Sequence, residues 1–375
     1  MTKKHFLISA PGRTEISGNH TDHQRGCVLA AAVNLETVAD VMLNGSNNIR
    51  VRSEGFPEVV VELDDLNIRE EEKNTSAALV RGVAAAFEQL GARIKGFDAE
   101  TVLPGSGLSS SAAFEVLMGT ICNELFFDRK LSPVEIAQIG QYAENVYFGK
   151  PSGLMDQAAS SVGGMVYIDF ADPDHPQVER IEFDFEKAGH ALCIIDSGAD
   201  HADLTDEYAA IPRELKEICN FFGKDVLREV REKEFMEALP NLRGKVSDRA
   251  ILRAIHFYQE NKRVMEQKKA LLENDFDGFL GLVTKSGYSS WMYLQNISPA
   301  GATQHQEVAV ALAMCDTLLN GRGAYRVHGG GFAGTVQAFV PVDMLEEFKS
   351  GIERVLGEGS CHVLHIRNEG GVRLS

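Results

Sequence analysis

The apolar positions of the chain recur with two periods, which predicts that strands and helices are both present. Strand-like runs occupy residues 5–10, 36–64, 164–185, 191–196, 324–327, 335–340 and 362–367. Helical spacing, with apolar residues three or four positions apart, occupies residues 76–90, 112–125, 133–148, 207–275 and 306–320. Ser132-Pro133-Val134-Glu135 has the composition of a capping box with proline at the first helical position.

The length of 375 residues is enough for about two domains. The strand that begins at residue 191 opens the second one, so we predict domains at 1–190 and 191–375. A glycine-rich segment, residues 329–334, lies in the second.

Composition and charge narrow the class of protein. The net charge of −17 argues against nucleic acid or an anionic membrane as a partner. The N-terminus lacks the apolar core of a signal peptide, and no apolar run approaches the length of a membrane span. Six cysteines lie apart, without C-x-x-C pairs, as in reduced proteins. We therefore expect a cytoplasmic protein; its oligomeric state stays open, with a monomer slightly favoured.

Residues 103–116, LPGSGLSSSAAFEV, are typical of a glycine turn that enters a helix. The first N–H groups of a helix lack partners and carry partial positive charge, so such a start can bind a phosphate group. An ordinary N-cap is the alternative, but it needs only one serine. The predicted phosphate-binding residues are Pro104, Gly105, Ser106, Gly107, Leu108, Ser109, Ser110, Ser111 and Ala112.

Two common nucleotide-binding motifs do not explain this segment. The chain contains no Walker A sequence. The pattern G-x-G-x-x-G occurs at Gly329, Gly331 and Gly334, but between two strand-like runs rather than between a strand and a helix. Alone, these glycines could form only a tight hairpin.

Residues 13–24 form a dense polar stretch between two apolar segments, which indicates a functional site. A solvated loop is one alternative. A metal cluster of His20, Asp22 and His23 is another, but no third ligand group with matching spacing is evident.

Four segments of the chain resemble motifs of the galactokinase family within the GHMP kinase superfamily. Residues 12–23 are similar to its sugar signature, GLSSSA to its phosphate loop, and residues 143–157 to its A-E-H…G-I-M-D-Q segment. The glycines near residue 330 are similar to the glycine loop that is the third motif of the GHMP kinases. Ala333 and Thr335 stand where that motif usually has Gly and Cys. The motifs span the chain in galactokinase order.

The resemblance implies a two-domain α+β fold. Its N-terminal domain would be ribosomal-S5-like, its C-terminal domain ferredoxin-like, and its active site would lie in the interdomain cleft. It also implies ATP-dependent phosphorylation of the anomeric hydroxyl of galactose, with Mg²⁺.

Roles for individual residues follow from the resemblance. Asp156 would take the proton of the sugar hydroxyl or act as an electrostatic anchor, and Arg13 would stabilise the transferring phosphoryl group. Ser111 and Glu144 would hold Mg²⁺, which prefers oxygen ligands. The implied phosphate contacts include Gly329, Gly330 and Gly331, and the implied sugar contacts are Asn19, His20, Asp22, Gly153 and Tyr208. For Asp156 a simple helix N-terminal carboxylate, and for Tyr208 a simple helix-face aromatic, are the alternatives.

Departures from the family pattern leave the sugar open. Asn19 stands at the usual Glu, His23 at the usual Tyr and Glu15 at the usual Asn. A kinase for galacturonic acid, N-acetylgalactosamine or arabinose is therefore an alternative. A galactose sensor without catalysis, or another GHMP kinase such as homoserine kinase, fits less well, because Ser110, Ser111 and the His20-Thr21-Asp22 segment are present.

Overall fold

A computed structural model of the chain describes residues 4–102, 110–150, 152–173, 175–199 and 204–375. The strands of these residues form two sheets. The strands are β1 His5–Ser17, β2 Cys27–Leu43, β3 Asn48–Ser53, β4 Val59–Glu62, β5 Phe97–Val102, β6 Met165–Asp169, β7 Gln177–Ile181, β8 His190–Asp196, β9 Ala324–His328, β10 Thr335–Pro341, β11 Cys361–Leu364 and β12 Val372–Arg373.

The larger sheet has the order β12-β1-β2-β5-β3-β4, and β6 joins β2 to β7. Its β3 and β5 strands are parallel, whereas β2 and β5 are antiparallel. The smaller sheet, β11-β8-β10-β9, is antiparallel throughout. The turn between β9 and β10 holds the G-x-G-x-x-G pattern, which confirms that this pattern joins two strands.

Ten α-helices lie in the described residues, and most were predicted. They are α1 Ser76–Gln89, α2 Ser110–Phe126, α3 Pro133–Tyr142, α4 Met155–Val162, α5 Thr205–Phe221, α6 Glu232–Leu242, α7 Asp248–Leu272, α8 Phe276–Ser289, α9 Glu307–Leu319 and α10 Leu345–Leu356. The capping box at Ser132 and Glu135 is present, with Pro133 at the start of α3. Two π-helical segments, Ala143–Phe148 and Ser290–Leu294, extend α3 and α8. No helix in this part of the chain is both long and apolar enough to cross a membrane.

The contacts divide the chain into two compact units. The first contains Met1–Thr14, Ala30–Val166 and Ile366–Ser375, and the second contains Glu15–Leu29 and Tyr167–His365. This discontinuous division differs from the single boundary after residue 190 that we predicted. The reason is that β1 and β2 each pass from one unit into the other, while the C-terminal strand β12 returns to pair with β1.

Each unit has its own apolar core. In the first, α1, α2 and α3 pack on strands β1 to β5 through buried side chains such as Ile8, Phe87, Phe97 and Leu117. In the second, α9 and α10 cover the small sheet, and a separate core joins α5, α6 and α7.

Candidate active site

The first unit brings Arg13 and Asp156 together. Arg13 lies on β1, and Asp156 lies in the first turn of α4. Their Nη2 and Oδ2 atoms are 2.5 Å apart, and the two side chains are 20% and 33% exposed. A carboxylate that is paired with a guanidinium but still reachable can accept a proton from a substrate hydroxyl, while the guanidinium can contact a phosphoryl group.

Glu144 lies in the π-helical segment after α3 and is almost fully buried. Its Oε2 accepts from Ser152 Oγ at 2.5 Å and from Gln157 Nε2 at 2.9 Å, and its Oε1 accepts from Lys150 Nζ at 3.3 Å. π-helical turns recur at functional sites. The three donors, Ser152, Gln157 and Lys150, hold the Glu144 carboxylate in one orientation.

A second buried carboxyl group, that of Glu115 on α2, belongs to the same network. Gln157 Nε2 donates to Glu115 Oε2 at 2.8 Å, so one amide group joins Glu115 and Glu144. Burial, and next the charge of Glu144, raise the pKa of Glu115 to about 8. Glu115 thus keeps its proton at neutral pH, and the amide group of Gln157 lies between the carboxyl groups of Glu115 and Glu144.

The predicted phosphate loop lies mostly outside the described residues, which exclude Pro104, Gly105, Ser106, Gly107, Leu108 and Ser109. Helix α2 begins at Ser110. Ser111 is exposed in its first turn, and Ala112 is buried. Gly153 is exposed just before α4. Ser111 and Gly153 are therefore accessible to a ligand.

The predicted sugar residues of the second unit lie around a tight turn. Gly18 has a φ of +102°, and a Cβ atom there would lie 2.6 Å from the Cys27 carbonyl oxygen, so only glycine fits. His20 also has a positive φ, of 58°. Asp22 begins a 3₁₀ turn, Asp22–Gln24, and is partly exposed.

Two histidines near this turn, His23 and His256, have lowered pKa values. Burial lowers the pKa of His23 to about 3 and that of His256 to about 4, with the neighbouring His20 as a further cause in both cases. His256 Nε2 lies 2.9 Å from the backbone carbonyl oxygen of Asn19. No group of three or more candidate metal ligands occurs in the part of the chain that the structure describes.

Asn19 is fully buried and faces the glycine turn, residues 329–331. Its Nδ2 donates to the Gly329 carbonyl oxygen at 2.5 Å. His20 Nε2 lies 3.0 Å from the Gly330 carbonyl oxygen, and Tyr208 Oη donates to that of Gly331 at 2.9 Å. Three predicted sugar residues therefore meet three predicted phosphate residues inside one unit.

Glu15 and Arg326 form a buried ion pair next to this turn. Arg326 Nη2 donates to Glu15 Oε1 at 2.6 Å, and both side chains are buried. Arg326 lies on β9, the strand that leads into the glycine turn. Glu15, one of the departures from the family signature, thus has a structural partner.

Asn296 also joins the network around the glycine turn, because its Nδ2 donates to Asn19 Oδ1 at 2.8 Å. The sequence analysis did not identify four residues of these networks: Glu115, Gln157, Asn296 and Arg326. A charged residue on the apolar face of α2 was a usable signal for Glu115, because an unpaired buried charge is costly. Asn296 and Arg326 gave no comparable signal, since their partners lie 277 and 311 positions away in the chain.

Comparison with known proteins places these motifs in a family. Residues 1–42 match the profile of the galactokinase galactose-binding signature, and residues 78–164 match that of the GHMP kinases N-terminal domain. The galactokinase of Streptomyces coelicolor is 30% identical over 348 residues, which cover 92% of this chain and 87% of that protein. The galactokinase of Glaesserella parasuis is also 30% identical, with coverage of 91% and 87%.

Two solved structures of GHMP kinases are also similar to this chain over almost its whole length. The crystal structure of Lactococcus lactis galactokinase complexed with galactose has a TM-score of 0.82 and 26% identity, and covers 100% of this chain and 96% of that one. The mevalonate kinase of Methanococcus jannaschii, at 15% identity and a TM-score of 0.68, shares the fold over 98% and 100% of the two chains.

Proposed function

Because this chain belongs to the galactokinase family of the GHMP kinase superfamily, we propose that it transfers the γ-phosphoryl group of ATP to the anomeric hydroxyl of galactose. The observation that carries the proposal is the pairing of Arg13 with Asp156 at 2.5 Å, with both side chains partly exposed. The match of residues 1–42 to the galactose-binding signature supports the choice of sugar.

In the proposed reaction the oxygen of the C1 hydroxyl attacks the γ-phosphorus and its proton passes to Asp156. The bond between the γ-phosphorus and the oxygen that bridges to the β-phosphate breaks, and ADP leaves. Arg13 orients the carboxylate through the ion pair, and its guanidinium stabilises the charge on the transferring group. Much of the lowering of the barrier comes from the alignment of the hydroxyl with the γ-phosphorus. This effect can lower the barrier by about 7–11 kcal/mol at best.

Magnesium is proposed as the metal, with Glu144 and Ser111 as its protein ligands. Both offer oxygen atoms, which Mg²⁺ prefers. The Glu144 carboxylate suits this role because Ser152, Gln157 and Lys150 already fix its orientation, and a lone pair of Oε1 remains beside the 3.3 Å contact with the exposed Lys150. When bound, the ion would neutralise phosphate charge, which matters in a protein whose net charge is −17.

The nucleotide and sugar contacts follow the same proposal. The phosphate groups would be bound by the 104–112 segment and by the glycine turn. The sugar would be contacted by His20, Asp22, Gly153 and Tyr208. Tyr208 Oη donates to the carbonyl oxygen of Gly331 at 2.9 Å, which places this hydroxyl beside the glycine turn and the other predicted sugar residues of the second unit.

We also propose that the enzyme works in the reducing cytoplasm; its oligomeric state stays open, with a monomer slightly favoured. All six cysteines lie in the described residues, and each is buried and forms no disulfide. Such thiols fit a reducing compartment.

The test is ADP release from MgATP with a panel of free sugars: galactose, galacturonic acid, N-acetylgalactosamine and arabinose. We expect the highest kcat/KM with galactose, and Asp156→Asn should lower kcat by about 10²–10⁴-fold because it removes the base. Asp277→Asn is the matched control, since Asp277 also lies in the first turn of a helix, α8, and should leave kcat unchanged.

Two other results would contradict the proposed function. A clear preference for another sugar of the panel would contradict galactose as the substrate and favour the related-sugar alternative. Sugar binding without ADP release would contradict catalysis and favour a sensor.

A further inference from the structure

The glycine turn is held by side chains through all three of its carbonyl groups. Gly329 O accepts from Asn19, Gly330 O accepts from Asn296 Nδ2 at 3.2 Å, and Gly331 O accepts from Tyr208. The main chain of Asn296 adds a further contact, because Phe332 N donates to its carbonyl oxygen at 2.6 Å. The side chains of Asn19, Asn296 and Tyr208 thus form a polar frame that holds the glycine turn.

Asn19 and Asn296 form the centre of that frame. Asn296 Nδ2 donates to Asn19 Oδ1 at 2.8 Å, and Ser290 Oγ donates to the same oxygen at 3.4 Å. The Nδ2 group of Asn19 donates to Gly329 O and, at 3.4 Å, to Glu15 Oε1. An asparagine side chain offers two donors and two acceptor lone pairs. All four are used within the protein, and the side chain is fully buried.

The orientation of the carbonyl groups determines the orientation of the N–H groups. No described peptide bond is cis, and in a planar trans peptide the N–H points opposite to the preceding C=O. The N–H groups of Gly330 and Gly331 therefore point away from Asn19 and Asn296. Among the described residues no group accepts a hydrogen bond from either N–H. Consecutive N–H groups that point the same way bind anions.

Glycine is required for this arrangement. Gly329 and Gly331 have φ values of +66° and +79°. A Cβ atom at Gly331 would lie 2.0 Å from the Asn296 carbonyl oxygen, and one at Gly330 would lie 2.6 Å from the Tyr208 ring. The turn and its frame are thus closely fitted to each other.

We propose that Asn19 and Asn296 are positioning residues, which hold the carbonyl groups of the glycine turn so that its N–H groups are presented to the phosphates of ATP. This rests on the proposed function and differs from the sugar contact that the family resemblance implies for Asn19. Asn19 supports nucleotide binding through the turn and does not contact the sugar. A glutamate at position 19 would set a carboxylate against Gly329 O and Glu15, so this frame requires the amide.

The experiment measures two dissociation constants by titration calorimetry, neither of which depends on turnover. The ligands are the non-hydrolysable ATP analogue adenylyl imidodiphosphate with Mg²⁺, and galactose. Asn19→Ala and Asn296→Ala should each weaken nucleotide-analogue binding by about tenfold, the effect of losing about one buried hydrogen bond. Galactose binding should change by less than about twofold, and the double variant should be about as weak as either single one, because both act through one turn.

Asn220→Ala, on the exposed face of α5, is the matched control and should change neither constant. If Asn19→Ala proves too unstable to purify, Asn296→Ala carries the test alone, since it removes the shorter of the two hydrogen bonds to Asn19 Oδ1 and one of the two side-chain contacts of Gly330 O. Weaker galactose binding in Asn19→Ala with no effect of Asn296→Ala would show a direct sugar contact and overturn the inference. So would a wild-type protein that binds galactose but not the analogue. Normal ligand binding without phosphoryl transfer would contradict the proposed function and leave the inference standing.

Discussion

Glu15 shows how one residue that departs from a family signature can be explained by its partner. Its carboxylate is paired with Arg326 in a buried setting, and its backbone carbonyl accepts from Gln337 Nε2 at 2.7 Å. The energetic importance of such a pair appears when one partner is removed, because the other charge is then buried without compensation.

We expect Glu15→Gln to lower the free energy of unfolding by about 3–5 kcal/mol, the usual result of breaking a buried ion pair. Urea unfolding at pH 7 measures it. Asp343→Asn is the matched control, because it breaks the exposed pair with Arg322 and should cost no more than about 1 kcal/mol. Equal effects of the two variants would contradict a structural role for the buried pair.

Several elements were predictable from the sequence because their signals are local. The capping box at Ser132 and the strands on either side of the glycine turn depend on residues a few positions apart. Residues 13–17 were not predictable as a strand, since their polar side chains suggest a loop or a site. In the structure these residues continue β1. Their side-chain partners, Asp156 for Arg13 and Arg326 for Glu15, lie far along the chain, so no local pattern could reveal them.

The candidate site was predictable only in part for the same reason. Motif resemblance identified Arg13, Asp156 and Glu144, which the structure brings into two neighbouring networks of the first unit. It could not identify Gln157 as the amide that joins Glu115 to Glu144, since that bridge depends on how α2, α4 and the π-helical segment pack together.

This packing of three helical segments predicts a pH dependence. Burial raises the pKa of Glu115 from 4.5 to about 8, so the folded state binds a proton more tightly than the unfolded state does. Its stabilising contribution is complete below pH 4.5 and is lost as the pH rises through about 8. Glu115→Gln is neutral at every pH and keeps an acceptor for Gln157. The stability of the variant relative to wild type should therefore increase between pH 5 and pH 8.5, as measured by urea unfolding. A difference that is constant with pH would contradict a neutral Glu115.

At the scale of the whole chain, the C-terminus returns to the strand that carries Arg13. In the first unit β12 pairs with β1, and Leu374 N donates to the Leu7 carbonyl oxygen at 2.7 Å. Gly370 packs so closely on α4 that a Cβ atom there would lie 1.9 Å from the Ser161 carbonyl oxygen. The last residues therefore complete the sheet and support the helix that carries Asp156.

Removal of residues 371–375 should lower the melting temperature, because it takes one strand from the sheet and leaves the backbone groups of β1 unpaired. Thermal unfolding measures this change. Leu374→Ala is the matched control: Leu374 is exposed, so this variant keeps the backbone pairing and should unfold near the wild-type temperature. If the shortened chain melted at the wild-type temperature, β12 would have no stabilising role.

In the proposed reaction Asp156 and Arg13 together direct phosphoryl transfer to the anomeric oxygen of galactose. The most direct measurement is the NMR spectrum of the product formed from galactose and MgATP. We expect a single sugar phosphate whose anomeric proton is split by phosphorus, and formation of this product about 10²–10⁴-fold more slowly with Asp156→Asn. Phosphate on any other carbon, or the same product from the variant at the wild-type rate, would contradict the proposed reaction.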